Sequence, residues 1–243
     1  MKLSQDSIAL LDSLVQTARA AGIKKLVIES GKIRGIDEKQ QVVIITTNNV
    51  PNLNGKQLGI ARLDMLSDRL NLMKNQGTLE IETTDSNFNK TDIGQLDLTA
   101  GKVKTQFRSS TIETVKGVPK NVSDVPAWEI KIDSKVLPVI TQAVSAMSSE
   151  AVTIASKDGK TVSIELVDSI KDIFTTELTE PPIYVGTGAV SKTSFCHKYP
   201  SKIFITLLKD ALKTADPLHI HLGEGGICWF KINGFDFFIL PSQ

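Results

Sequence analysis

Four residues near the end of the chain have the types and spacing of a phosphate-binding surface. They fall at i, i+4, i+7 and i+11 of a helix predicted over 201–214, so they share one face: Lys202, Thr206, Lys209 and Lys213. No acid stands among these four positions, and such a row of cations can contact phosphates without reading bases. An ordinary solvated helix face has the same pattern, so both interpretations stay open.

The other predicted helices carry fewer basic residues. The second helix has two arginines seven residues apart and a lysine at its end, but Asp64 and Asp68 dilute their charge. The first helix has one arginine near its end, and the third has one lysine near its start. The candidate phosphate-contacting residues are therefore Arg19, Arg62, Arg69, Lys74, Lys135, Lys202, Lys209 and Lys213.

The histidines and cysteines do not form a convincing reactive group. His219 and His221 alternate on a predicted strand and share one face, with Cys228 close in sequence. A zinc site needs more ligands at tighter spacing, so we predict no metal. Cys196 and His197 are adjacent, and neighbours on an extended chain point to opposite faces, which argues against a thiolate–imidazole pair.

Two glycine-rich segments could suggest nucleotide binding. Gly186–Gly188 and Gly223–Gly226 lack both the Gly-Lys-Ser/Thr ending of a phosphate loop and the strand–GxGxxG–helix context of a dinucleotide fold. We interpret both as hairpin turns. The sequence thus gives no positive case for an enzyme, and we predict neither catalytic residues nor a cofactor.

Length and composition set the class of protein. The chain has 243 residues, of which 41% are hydrophobic and 23% charged, enough for one large domain or two of ordinary size. The net charge of +1 neither demands nor excludes nucleic acid. Two cysteines fit a reducing compartment, the N-terminus lacks an apolar signal region, and no apolar run is long enough to span a bilayer. We therefore expect a cytoplasmic protein without membrane contact, in the host cytoplasm if it is viral.

The second half of the chain repeats the layout of the first. In each half an Asp-Ser pair leads an amphipathic helix, followed by an apolar strand and a Gly-Lys hairpin turn: Asp6-Ser7, Lys25–Ile28 and Ser30–Lys32, then Asp133-Ser134, Ala151–Ile154 and Asp158–Lys160. Repetition at this scale predicts two similar domains, 1–117 and 128–243. The segment 118–127 has prolines and little periodicity, so we interpret it as a linker.

The elements that must position these residues follow from hydrophobic periodicity. Helices are predicted near 6–21, 62–74, 134–147 and 201–214, each with one apolar face. Strands are predicted over 25–28, 42–47, 57–61, 79–82, 95–99, 103–107, 128–132, 151–156, 161–166, 172–178, 218–222, 227–231 and 235–240. Segment 181–199 resists assignment strand by strand. The pattern predicts an α+β fold whose helices lie on one side of antiparallel sheets.

This layout and several short segments resemble the DNA sliding clamps, in particular the two-domain clamps of PCNA type and of T4-like bacteriophages. The segments are Met1–Asp6 running into a helix, Asn54–Ile60 before the second helix, Glu129–Ile132 opening the second half, and the ending Phe235–Pro241. One departure stands out, because the cationic helix faces are thinner than the family usually shows, above all over 134–147.

The resemblance implies a ring-shaped processivity factor without chemistry of its own. Three identical chains would close head-to-tail, by pairing an edge strand near Lys104–Val115 with one near Asp172–Leu178 of the next chain. Helices would line the hole, where the eight basic residues meet the phosphates of encircled double-stranded DNA without sequence specificity. The ring would tether a replicative DNA polymerase and would be placed on DNA by a clamp loader.

The resemblance also implies a docking site for partner peptides. In the family it is an apolar pocket between the domains, beside the linker and the C-terminal tail. Carried over to this sequence, the residues that border it are Val122, Val125, Pro126, Leu240 and Pro241.

Three other functions remain open from the residues. The first is a two-domain scaffold or virion protein that does not bind DNA. The second is an enzyme acting through His219, His221 or Cys196. The third is a clamp-like subunit that needs unlike partners to close a ring.

Overall fold

The computed structural model describes residues 1–115, 117–186 and 194–242. The chain divides into two compact units, Met1–Asn121 and Val122–Gln243. This division falls inside 118–127, the predicted linker, whose bounds stay a prediction. Each unit combines two helices with antiparallel sheets, so the predicted α+β class is confirmed. The glycine segment predicted as a turn at 186–188 lies mostly outside the described residues.

The first unit packs two helices with two sheets. Its elements are α1 (Gln5–Ala20), β1 (Ile23–Glu29), β2 (Lys32–Asp37), β3 (Val42–Thr46), β4 (Leu58–Ile60), α2 (Leu63–Met73), β5 (Leu79–Asp85), β6 (Ile93–Ala100), β7 (Val103–Arg108) and a 3₁₀ turn, Ile112–Thr114. Strands β4, β1, β2 and β3 are neighbours in that order, and β5, β6 and β7 form a separate three-stranded sheet. Strand β7 is therefore an edge of its sheet.

Local sequence explains where α1 begins and ends. The Ser4 hydroxyl accepts a hydrogen bond from the Ser7 amide at 3.3 Å, which satisfies one of the free amides of the first turn. Gly22 follows the helix with φ of 80°, a left-handed conformation that glycine adopts without a Cβ clash. The predicted apolar face is buried, as shown by Ile8, Leu11, Val15 and Ala18.

The second unit repeats this plan with more strands. Its elements are β8 (Pro126–Ile132), α3 (Val136–Met147), β9 (Ala151–Ser156), β10 (Ser163–Val167), β11 (Ile173–Glu177), β12 (Ile183–Tyr184), β13 (Phe195–Pro200), α4 (Ser201–Leu212), β14 (Leu218–Gly223), β15 (Cys228–Ile232) and β16 (Phe235–Ile239). Neighbouring strands run in the order β12, β8, β14, β15 and β16 in one sheet and β11, β10, β9 and β13 in the other. Strand β11 is therefore also a sheet edge.

Aromatic packing fixes α4 on the core of the second unit. Phe204 is fully buried, and its ring stacks on Tyr199 at 5.9 Å and meets Phe230 edge-on at 5.6 Å. Burial raises the pKa of Tyr199, and its hydroxyl donates to the Gly226 carbonyl at 2.7 Å. Because α4 buries this face, its opposite face is left to solvent, as the sequence pattern predicted.

Strand β2 was missed by the sequence pattern for a physical reason. Its sequence contains Arg34 and Gly35 in place of the expected apolar alternation, yet both are buried. Arg34 donates to the Glu29 carboxylate at 3.0 Å, which compensates its burial. A Cβ at Gly35 would lie only 2.6 Å from Leu26 and 2.7 Å from Ile44, so close packing of the strands requires the glycine.

Candidate nucleic-acid interface and peptide-binding surface

The exposed face of α4 keeps two of its predicted cations unpaired. Lys202 and Lys209 are exposed, and no ion pair within residues 1–115, 117–186 and 194–242 involves either. At the end of the predicted stripe, Lys213 binds Asp210, which lies outside the four stripe positions, at 2.7 Å. Thr206 is held by its own helix, since its hydroxyl donates to the Lys202 carbonyl at 2.8 Å.

Arg69 of α2 and Arg62, which directly precedes α2, both lie against one buried ring. The guanidinium carbons of Arg62 and Arg69 lie 5.9 Å and 5.8 Å from the centroid of Phe107. Arg62 also donates to the Arg108 carbonyl at 3.2 Å, and Arg69 donates to the Met65 carbonyl at 3.0 Å. Cation–π contact and these hydrogen bonds hold both charges in place, and neither forms an ion pair with a carboxylate of the described residues.

Acidic partners take up other predicted phosphate contacts. Arg19 binds Asp68 at 2.6 Å and lies 3.6 Å from Asp64. Lys74 reaches Asp12, on α1, at 3.4 Å. These acids lower the positive charge that either side chain can offer to a phosphate. The sequence showed the diluting effect of Asp64 and Asp68 but could not show that Arg19, on another helix, would bind them.

Lys135 lies at the start of α3. It is exposed, and its amide donates to Asp133 Oδ1 at 2.8 Å. The helix itself, Val136–Met147, contains no charged residue. The thin cationic character predicted for this helix is therefore a property of its sequence, and its exposed face can contribute only weak electrostatic attraction.

The segment before β8 is fixed to a glycine turn of the same unit. Asp124 accepts hydrogen bonds from the amides of Gly225 at 3.0 Å and Ile227 at 2.9 Å. A Cβ at Gly223 would lie 2.0 Å from the Asp124 carboxylate, so this close approach requires a glycine. Beside this anchor Val125 is exposed, which leaves an apolar side chain facing solvent.

The C-terminal tail is fixed to the neighbouring strand. The Ser242 amide donates to the Lys198 carbonyl of β13 at 2.7 Å. Tyr199, the next residue of β13, binds through its hydroxyl to Gly226, in the glycine turn that also holds Asp124. Four of the predicted pocket residues on these segments are half-buried: Val122, Pro126, Leu240 and Pro241. The predicted pocket residues thus lie on two segments that are both attached, directly or through β13, to the glycine turn Gly223–Gly226.

Aromatic residues missed by the sequence analysis line a cavity near this support. The cavity has a volume of about 250 Å³, and its walls include Trp128, Tyr184, Phe195 and Glu224. The Trp128 ring lies 5.2 Å from that of Tyr184 and 5.3 Å from that of Phe195. The sequence signal that could have indicated this cavity is the presence of aromatic residues next to the linker and in the unassigned segment 181–199.

The two histidines share a carboxylate that the sequence did not indicate. His219 Nδ1 lies 2.6 Å from Glu129 Oε1, and His221 Nε2 lies 3.4 Å from Oε2. The hydrogen bond from His219 lowers the pKa of Glu129 below its usual 4.5. The stabilisation from this carboxylate is therefore present above about pH 4.5 and is lost as the pH falls through the lowered pKa.

In the described residues, the histidines and cysteines belong to no metal-binding cluster. Within 1–115, 117–186 and 194–242, no cluster of three or more His, Cys, Asp or Glu is arranged to hold a metal ion. Cys228 is buried, which raises its pKa, whereas Cys196 is exposed. Over the same ranges, no helix has the length and apolar character needed to cross a membrane.

The two predicted interface strands are sheet edges whose exposed charged residues differ in sign, although Lys171 stands beside Asp172. Strand β7 exposes Lys104 and Arg108, whereas the exposed acids at the ends of β11 are Asp172 and Glu177. In the part of the chain that the structure describes, each of these strands has a strand partner on one side only. An edge strand offers unpaired amides and carbonyls to another strand, and these two edges have complementary charge.

Comparison with solved structures gives the fold over the whole chain. PCNA of A. fulgidus, solved with the C-terminal region of FEN-1, matches with a TM-score of 0.64 and 15% identity, covering 100% of this chain and 97% of that one. The PCNA2–PCNA3 complex of Sulfolobus tokodaii matches with a TM-score of 0.62 and 17% identity, covering 100% of this chain and 99% of that one. The Helicobacter pylori beta clamp bound to a DNA ligase peptide matches with a TM-score of 0.65 and 14% identity, covering 99% of this chain and 66% of that one.

These likenesses define the class of fold. The chain has the fold of the DNA sliding clamps, as its sequence layout predicted. No family model and no curated protein matches the sequence. The fold is thus established from the structure, whereas ring formation, the DNA that the ring would encircle and its binding partners are proposed below.

Proposed function

We propose that the protein is a sliding clamp, a homotrimeric ring that encircles double-stranded DNA and tethers a replicative polymerase without performing chemistry. The observation that carries this proposal is the clamp fold over the whole chain, at TM-scores of 0.62 to 0.65. The charge-complementary edges of β7 and β11 support closure from identical chains, each strand extending the sheet of the next chain. A loader places such a ring on DNA, and topology then keeps it there.

Retention on circular DNA tests the proposal directly. The protein at micromolar concentration is mixed, together with a clamp loader that opens the ring, with a nicked circular plasmid or with the same plasmid made linear, and each mixture is gel-filtered in high salt. High salt removes phosphate contacts, so a ring stays on the circle and leaves the linear DNA through its ends. Equal retention on both DNA forms, or none on either, contradicts a clamp and favours a scaffold without DNA binding.

The α4 lysines are expected to supply phosphate contacts. Replacing Lys202 and Lys209 with alanine should flatten the dependence of DNA binding on salt by about one unit of slope for each phosphate that is no longer neutralised. The fold should persist, because exposed charges contribute little stability. Binding to linear DNA measured by fluorescence anisotropy across a salt series gives the slope.

Lys213 provides a matched control on the same helix. Asp210 already binds it at 2.7 Å, so Lys213→Ala should change the slope less than either of the other substitutions. An unchanged slope in the Lys202→Ala, Lys209→Ala variant would remove α4 from the DNA-facing surface.

Arg62 and Arg69 form the second part of the proposed surface, with Lys135 and the acid-bound Arg19 and Lys74 as weaker contributors.

Partner peptides are proposed to dock beside the glycine turn Gly223–Gly226 and β13, to which the linker segment and the C-terminal tail are attached. One solved neighbour holds the C-terminal region of FEN-1 and another a DNA ligase peptide, so two proteins of this fold bind peptides from other proteins. In this chain Val122, Val125, Pro126, Leu240 and Pro241 offer apolar surface for one or two large anchoring side chains.

Removing the tail tests this docking site. Deletion of residues 240–243 should abolish stimulation of a replicative polymerase that the intact protein stimulates. Retention of the truncated protein on circular DNA should remain, because the edge strands and helix faces are unchanged. Full stimulation by the truncated protein would show that the tail only seals the fold.

A ring of unlike chains is the second candidate. The observation that favours it is the PCNA2–PCNA3 complex, in which the clamp fold is shared by two different subunits. The mass of the protein in solution separates the two proposals. A particle of about three times 26.5 kDa supports the homotrimer, whereas a monomer at micromolar concentration favours unlike partners.

A further inference from the structure

Phe88 is held in an exposed position by an ordered loop of the first unit. Its side chain is 93% exposed at the tip of the connection between β5 and β6. The loop is closed by hydrogen bonds, because the Phe88 amide donates to Ser86 Oγ at 3.2 Å and the Ser86 amide donates to the Asp92 carbonyl at 2.8 Å. An aromatic ring fixed in solvent is a feature of contact surfaces rather than of cores.

A groove lies beside this ring, where the edge strand β7 ends. It has a volume of about 990 Å³, and its walls include Phe88, Gly94, Arg108, Thr111 and Glu113. The Ser109 amide donates to the Gly94 carbonyl at 3.1 Å, which ties the end of β7 to the start of β6. A chain that extended the sheet along β7 would therefore reach the groove.

The second unit has an exposed apolar turn beside the other edge strand. Three side chains around the turn between β10 and β11 face solvent, at 46%, 75% and 68% exposure: Val167, Ile170 and Ile173. Asp168 Oδ1 accepts from the amides of Ile170 and Asp172, both at 2.9 Å, and holds the turn in shape. The side chain of Ile170 is thus presented at the tip of a pre-organised turn.

Antiparallel pairing would bring the groove and the turn together. The strand pairs within each unit are antiparallel, and the charges of the two edges fit the same direction. In that direction the Arg108 end of β7 meets the Asp172 end of β11, and Lys104 meets Glu177. The same arrangement sets Ile170 of one chain beside Phe88 of the next.

We propose that the apolar turn 167–173 of one chain seats against Phe88 in the groove of the neighbouring chain, as a second contact beside the paired strands. This inference rests on the proposed ring. The occupant is a second copy of this chain, because the groove and the turn each continue from an edge strand and those edges carry complementary charges. The contact covers apolar surface that strand pairing alone would leave exposed.

Cross-linking tests the juxtaposition in the intact protein. A chain with Phe88→Cys and Ile170→Cys, in a Cys196→Ser background, is treated with a short bismaleimide and run on a denaturing gel. Cys228 is buried with a raised pKa, so it does not compete for the reagent. Covalent dimers and trimers are expected. The control pairs Ile170→Cys with Leu72→Cys, since Leu72 is 55% exposed on α2 and belongs neither to an edge strand nor to the lining of the groove, and it should give monomers.

A double-mutant cycle supplies a second measurement and separates the two proposals. Phe88→Ala and Ile170→Ala should each weaken trimer formation about tenfold, and the effect of the double variant should be smaller than the two effects combined. A stable trimer whose association is unchanged by these substitutions, and which does not cross-link, overturns this contact and leaves the ring intact. A wild-type protein that stays monomeric overturns the homotrimeric ring and the contact together.

Discussion

Reversing the two exposed charges of β7 is expected to convert the proposed homotrimeric ring into monomers. In Lys104→Glu, Arg108→Glu the edge of β7 would present carboxylates to Asp172 and Glu177 of the next chain. Like charges placed together at an interface cost several kcal/mol, enough to dissociate a micromolar assembly. Light scattering should therefore show a mass near 26.5 kDa, and the protein should no longer be retained on circular DNA.

A charge swap provides the decisive control. Adding Asp172→Lys and Glu177→Lys to the same chain restores opposite charges across the interface, so the trimer should form again. Lys39→Glu with Lys157→Glu makes the same change in net charge at exposed lysines outside the two edges, and its mass should equal that of the wild type. If the reversed variant stays trimeric, the ring does not close through β7 and β11.

The sequence was sufficient for the elements whose burial is decided by local periodicity. The apolar face of α1 follows from side chains at helical spacing, and the hairpin turn at Ser30–Lys32 follows from Gly31, whose φ is 74°. Strand β2 does not follow, because Arg34 is buried only by virtue of Glu29 and Gly35 only by the closeness of neighbouring strands. Tertiary packing decides such positions, and a single sequence does not display it.

The sequence supplies the basic residues of the candidate surface but not their electrostatic surroundings. Lys202 and Lys209 are exposed on α4, whereas Arg69 on α2 is only half-exposed. The partner of Arg19 on α2 is 49 residues away, and the carboxylate shared by the histidines is 90 residues from His219. Ion pairs between elements depend on how helices and strands pack. The sequence therefore predicted which basic residues are present but not which of them are neutralised by a carboxylate.

Truncating Phe204 is expected to cause a large decrease in the stability of the second unit. Phe204→Ala removes a fully buried ring that packs between Tyr199 and Phe230. Such a change costs about 3–5 kcal/mol through reduced burial and the cavity left behind. Because whole domains are stable by only about 5–15 kcal/mol, the midpoint of urea unfolding should fall sharply.

The same substitution at an exposed phenylalanine isolates the effect of burial. Phe88→Ala removes the same atoms from a side chain that is 93% exposed, so the free energy of unfolding of the monomer should change by less than about 0.5 kcal/mol. Phe204→Leu keeps most of the apolar volume and should lie between the two. Because Phe204 anchors the helix that carries Lys202 and Lys209, Phe204→Ala should also weaken DNA binding, whereas Phe204→Leu should bind as the wild type does. Equal unfolding midpoints for Phe204→Ala and Phe88→Ala would contradict the packing of α4 on Tyr199 and Phe230.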